Sequence, residues 1–319
     1  MDWQRAIAFA LAILVAARSA NAQVAYISNF DANTVSVVDV KSHTVAATIA
    51  VGDGPRGAAV SPDGRQAYIA NYRGGTVSVI DAKANKLVAN LPVGEHPKGV
   101  AVAPDGRTVY VSNVGSDNVS VIDAALLSTV ATIAVGKAPM ALAVSADGRH
   151  LYVTHSGANS LSIIDLRTRR PVAVLTVGVS PIPVVVTADG RRVLVANNHS
   201  GSVTIIDARK AAVIATIPVG DFPIGLAVSP DGKRAYVANN LKGTLSVIDL
   251  DHLGVIATVA ADAYPTGVAI TPDGSELYVP SNTKDRVTVI STANNLPITS
   301  IVVGHTPMAF GPFIGAAPR

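Results

Sequence analysis

Six Asp-Gly pairs stand at one fixed spacing along this 319-residue chain. Asp63-Gly64, Asp105-Gly106, Asp147-Gly148, Asp189-Gly190, Asp231-Gly232 and Asp273-Gly274 follow one another at intervals of 42 residues. Self-similarity at that period restricts a chain to a solenoid, a propeller or an array, because one short unit cannot bury its own apolar face. Aligned on the period, units begin at Arg65, Arg107, Arg149, Arg191 and Lys233, with an earlier one near Gln23 and a last one at Ser275, seven in all.

Each unit divides into four short β-branched runs bounded by Gly, Pro, Asn or Asp, the pattern of strands between tight turns. In the unit 191–232 they are Val193–Asn197, Ser202–Asp207, Val213–Val219 and Ile224–Ser229. In the Ser-Pro-Asp-Gly joint, Pro presets φ, Asp bonds locally to backbone and Gly accepts a positive φ. The Asp closing each second run (Asp39, Asp81, Asp123, Asp165, Asp207, Asp249) is expected to cap the following turn. A structural role is likewise expected for Asn29, Asn71, Asn113, Asn197 and Asn239 after each first run, since they recur with the fold and not with any one blade. Four strands in each of seven units predict an all-β, seven-bladed β-propeller. A straight solenoid would need polar capping units. Here the ends are complementary instead. The chain opens on a first-type strand, Val24–Asn29, and finishes on an extra fourth-type strand, Met308–Gly315. That last strand is expected to lie innermost in the blade that the N-terminal strands begin, closing the ring.

Residues 1–22 differ from the rest. Arg5 precedes an apolar run, Ala6–Ala17, and Ala20-Asn21-Ala22 forms a small-x-small site before Gln23. This is the pattern of a secretory signal peptide, and the run is too short for a membrane span. The expectation is an exported protein, periplasmic or secreted, whose residues 23–319 form one domain with no membrane span. There is no cysteine, so disulfides, thiolate metal sites and a c-type haem attachment are excluded. The formal net charge is +3, and loss of Arg5, Arg18 and Asp2 with the leader would leave +2, too little to imply a nucleic-acid partner. The only tryptophan is Trp3, which removes the Trp-dependent WD40, quinoprotein-docking and sialidase repeats from consideration.

The starts Tyr110-Val111-Ser112-Asn113 and Tyr236-Val237-Ala238-Asn239, the Ser-Val-Ile-Asp strand and the Val-Gly…Pro…Pro-Asp-Gly tail resemble the YVTN-family β-propeller repeat over almost all of residues 23–319. The resemblance implies an extracytoplasmic propeller. It does not fix an activity: relatives include periplasmic and surface-layer proteins and domains similar to those of haem d1 and copper enzymes, some associated with DNA binding or quinoprotein alcohol oxidation.

In a propeller the innermost strands line a central channel, and the loops entering them crowd one mouth. Those loops contain seven recurrent prolines, flanked by residues that differ from unit to unit. Arg56, His96 and Lys98 make one side of the mouth basic, while Met140, Phe222, Tyr264 and Met308 make the rest apolar and aromatic. Adjoining loops add Tyr72, Arg73, His155 and His305, with His199 nearby. An apolar concavity with a few placed polar groups is the form of a ligand site, and its basic side suits a carboxylate or phosphate of a small anionic ligand or protein partner. No Asp or Glu occurs in any innermost strand, and the histidines come from different units without ligand spacing, so neither a metal nor another cofactor is expected. A second basic group, Arg167, Arg169, Arg170, Arg191, Arg192, Arg209 and Lys210, falls on turns of two adjacent units at the opposite end. It could hold phosphates by charge alone, but lacks interleaved aromatics for base stacking. No catalytic motif is present. The reading is therefore a monomeric binding or interaction scaffold more than an enzyme. A small-substrate hydrolase or lyase assembled across blades, a single-strand nucleic-acid binder and an accessory of quinoprotein alcohol oxidation remain alternatives.

Overall fold

The computed structural model describes residues 23–316, and the leader pattern at 1–22 lies outside them. Seven antiparallel sheets form the blades of a β-propeller, and no helix occurs among the described residues. Blade 2 shows the plan: Pro55–Val60 innermost, then Gln66–Asn71 and Thr76–Asp81, with Lys86–Pro92 outermost. Blades 3 to 7 repeat it over 97–134, 139–176, 181–218, 223–260 and 269–302. The two middle strands of each blade are buried almost throughout, because each faces a neighbouring blade on both sides. The outermost strand exposes most of its length, as in Lys86–Pro92. A register shift recurs in every blade between the last two strands, for example at Val79/Ile80, and supplies the extra twist that lets a blade splay toward the rim.

The turn chemistry matches the sequence reading. Ser61 Oγ donates to Asp63 Oδ1 at 2.6 Å, Arg65 N donates to the same oxygen at 3.0 Å, and Gly64 takes φ 72°. Asp81 Oδ1 accepts from the backbone N–H of both Lys83 and Ala84 at 2.8 Å. The recurrent Asn side chains tie the two middle strands together: Asn71 Nδ2 donates to Thr76 Oγ1 and Ser78 Oγ, both at 2.9 Å. A glycine makes room for each. A Cβ on Gly94 would lie 2.7 Å from the Asn113 side chain, and one on Gly304 2.6 Å from that of Asn29. Blade 7 breaks both positions at once. Asp262 stands where the others have Gly, Ser281 where all but blade 4 have Asn, and the Asp262 carboxylate takes Arg286 Nε at 2.7 Å and Thr288 Oγ1 at 2.6 Å.

Ring closure follows the expected topology with one difference. The C-terminal segment does lie innermost in blade 1, but as two short pieces, Pro307–Met308 and Ile314–Ala316, both paired with Gln23–Asn29. Between them, residues 309–312 leave the ladder, with Gly311 at φ 93°, and Phe313 O rejoins it by accepting from Tyr26 N at 2.9 Å. The excursion reaches the neighbouring blade, where Phe310 O accepts from Ala58 N at 2.9 Å, and returns to place Phe313 wholly inside the core. A continuous strand was the sequence expectation. The Gly-Pro pair at 311–312 breaks it, since Pro has no N–H for the ladder and Gly supplies the positive φ.

Candidate functional site at the channel mouth

All seven recurrent prolines are preceded by a residue with positive φ, and only Gly54 is a glycine. His96 (51°), Phe222 (54°) and Tyr264 (54°) hold bulky side chains in this left-handed region, where such residues are uncommon and strained. The loops are held by the preceding blade: Asn33 Oδ1 accepts from Gly54 N at 2.9 Å, and Asp117 Oδ1 from Ala138 N at 2.7 Å. Mouth side chains are thus presented by over-determined backbone.

The residue after each proline opens the inner strand at the mouth end. The series is Arg56, Lys98, Met140, Ile182, Ile224, Thr266 and Met308, so the only two cations are on adjacent blades. Around them stands an aromatic ladder. The Arg56 guanidinium lies 4.7 Å from the Phe30 ring centre and 4.1 Å from that of Tyr72. Tyr72 stacks on His96 at 4.7 Å, with 23° between the planes. Arg73 also lies over the Phe30 ring, at 4.1 Å, and pairs with Asp31 at 2.8 Å. Each cation–ring contact contributes about 0.5–2 kcal/mol, more where water is excluded.

Lys98 is the most unusual group. Its side chain is only 5% exposed. Nζ lies 4.9 Å from the centre of the Phe310 ring and 4.0 Å from Met140 Sδ. No carboxylate within ion-pair distance accompanies Lys98 or Arg56 among the described residues, and Arg56 Nε is buried without a hydrogen-bond partner. Burial, reinforced by the Arg56 charge, brings the Lys98 ammonium down to about 7. Desolvation acts on Arg56 in the same direction. A buried cation without a counter-ion is costly, and groups perturbed this way cluster at functional sites.

Below the mouth the inner strands enclose a cavity of about 350 Å³ whose lining side chains are all apolar. Small residues let the strands converge: a Cβ on Gly225 would sit 2.6 Å from the backbone of Gly267.

The other sequence candidates are placed differently. Phe222 and Tyr264 are exposed on the far side of the mouth, with His199 edge-on to Phe222 at 5.4 Å. Met308 is half-buried. His305 is exposed and pairs with Asp285 at 2.8 Å, a carboxylate that also accepts from Thr306 N. His155 is wholly buried beneath the mouth. It fills the recurrent Asn position, Nε2 lies 2.8 Å from Ser162 Oγ, and desolvation lowers its basicity. No group of three His, Cys, Asp or Glu converges as a metal site among the described residues. At the opposite end, Arg167, Arg169, Arg170, Arg191, Arg209 and Lys210 are exposed. Arg192 instead turns toward blade 6, where it donates to Leu250 O, and Arg169 lies close enough to act on the Tyr110 phenol of blade 3. Sequence reasoning missed Phe30 and Phe310. Phe30 was detectable, since it occupies in its unit the position of Tyr72; Phe310 was not, since its segment leaves the repeat.

Comparison with known proteins supports the fold. A model described as a seven-bladed β-propeller lactonase matches residues 26–165, and one described as a YNCE-like β-propeller matches 103–229. No curated protein matches. Among solved structures, a chain of Kuenenia stuttgartiensis hydrazine synthase is 27% identical with a TM-score of 0.77, covering 84% of this chain and 92% of that one. A candidate 6-phosphogluconolactonase from Bacteroides fragilis is 17% identical with a TM-score of 0.79, covering 92% and 98%. The dihydro-heme d1 dehydrogenase NirN is 19% identical with a TM-score of 0.70, covering 93% and 75%.

Proposed function

We propose that this chain is an exported, monomeric binding propeller of the YVTN-repeat kind that takes a small anionic ligand at the basic side of its channel mouth. One observation carries the reading: the buried Lys98 ammonium beside Arg56, with no carboxylate among the described residues to neutralise either. A ligand anion supplies the missing counter-charge, and the ring-stacked Arg56 keeps its edge N–H groups for it. The leader pattern at 1–22 and the absence of cysteine support export. The test is calorimetric titration with inorganic phosphate and small carboxylates. Millimolar or tighter binding that is lost in Lys98→Met and Arg56→Ala is expected; undiminished binding in both variants overturns the reading.

A lactone-opening enzyme is the second reading, favoured by the lactonase match over 26–165, a segment that contains Arg56, Tyr72, His96, Lys98 and Met140. In it Arg56 would hold the acid group and the neutral fraction of Lys98 would act as base. Hydrolysis of sugar-acid lactones that disappears in Lys98→Met would select it over simple binding.

A further inference from the structure

The cavity beneath the mouth is continuous in residues with the cation site. Gly99, next to Lys98, lines it, and so does Phe310, whose ring faces the Lys98 ammonium. Polar side chains are absent from its wall: Val100, Leu142, Val184, Leu226 and Val268 face one another around it. At the end away from the mouth, the inner strands of blades 2 to 7 each finish on a β-branched residue, namely Val60, Val102, Val144, Val186, Val228 and Ile270. The bore is thus lined by apolar side chains along its length, with the buried Lys98 ammonium at its mouth end. At about 350 Å³ it lies in the lower part of the range of small-molecule pockets. Its wall offers water backbone groups but no hydrogen-bonding side chains, so a hydrocarbon tail meets mostly apolar surface along it.

We propose that the ligand is a single-chain amphipathic carboxylate, its head held by Lys98 and Arg56 and its aliphatic tail lying in the channel. This rests on the reading of the mouth as an anion site and adds the tail. A carboxylate suits the head position because two oxygens can take one donor each from the ammonium and the guanidinium edge. The tail loses contact with water along the apolar wall, so affinity rises with each methylene until the bore is full. Phe310 closes the gap between head and tail.

The experiment is calorimetric titration of the full chain with butanoate, hexanoate and octanoate, and with octanol and inorganic phosphate as controls. Affinity is expected to rise about fourfold per methylene added. Ala143→Phe, and Ala227→Phe on another wall, narrow the bore and should remove that chain-length dependence while leaving phosphate binding within about twofold. Lys98→Met should bring octanoate down to the level of octanol. If butanoate and octanoate bind equally and both depend on Lys98, the tail inference is overturned and the mouth reading stands. The same holds if the length dependence survives both bore-narrowing variants. If octanol binds as tightly as octanoate to the unmodified chain, the head assignment is overturned. If neither phosphate nor any carboxylate binds, both inferences fall.

Discussion

The two ends of the propeller use equal numbers of loops and spend their polar groups differently. At the end opposite the mouth, the recurrent aspartates are used by their own turns. Asp147 Oδ1 accepts from Ser145 Oγ at 2.6 Å and from Arg149 N at 3.0 Å, and the Ser145 hydroxyl, then that N–H, hold the carboxyl below its ordinary range. At the mouth, the backbones of the loops before Pro55, Pro139 and Pro307 are held by Asn33, Asp117 and Asp285, and the Lys98 and Arg56 head groups take no part in holding them. Lys98 and Arg56 then stand without counter-ions in a place where that lowers stability. A polar residue that the fold already uses is explained by the fold; a charge that the fold would be better without points outside it.

That contrast can be broken in graded steps. The largest effect is expected for Phe313→Ala, which empties a fully buried ring site beneath the excursion carrying Phe310. It should cost about 3–5 kcal/mol in denaturant unfolding and weaken anion binding together. Full binding in a destabilised variant would show that the mouth does not depend on the closing segment.

Lys98→Met should act with the opposite sign, stabilising by roughly 2 kcal/mol at pH 7 while abolishing anion binding. The pH dependence gives a second readout. The folded value, about 7, lies below lysine's ordinary 10.5. Between those values the folded chain therefore carries fewer protons than the unfolded one, and its stability rises with pH across that window. In Lys98→Met this rise should vanish. A variant less stable than the parent at pH 7 would mean that Lys98 is structurally satisfied.

Asp147→Ala should cost about 1 kcal/mol at neutral pH and leave ligand affinity unchanged. Because its folded carboxyl is depressed, the contribution is present above the ordinary carboxylate range and is lost as pH falls through the folded value. Loss of ligand binding in this variant would erase the distinction between the two ends. Smallest of all, the double change Arg191→Ala/Arg209→Ala should alter stability by less than about 0.5 kcal/mol. Any salt-dependent single-strand DNA binding that it removed would assign a role to the second basic group.

Much of the scaffold was legible because its determinants lie close together in sequence. Asp63 meets Ser61 and Arg65, Asn71 reaches Thr76 and Ser78, and such contacts recur with the period in most blades. The site was legible only in part. Arg56, Tyr72, His96 and Lys98 could be assigned to one side of the mouth by register alone, yet their order of stacking could not. His155 shows the limit: the sequence marks it as a departure from Asn, and only the packing shows it filling the Asn position in the interior.

The sequence by itself determined the period, the four strands of each unit, the chemistry of the turns and the innermost place of the last strand, because each follows from backbone preferences repeated at a fixed interval. The tertiary structure alone decided that Phe30 packs against Arg56, that Phe310 leaves the ladder to face Lys98 from 212 residues away in sequence, and that neither cation meets a carboxylate among the described residues. Closing a ring brings residues from its two ends together, and no local pattern specifies which side chains then meet or what charge is left unpaired between them.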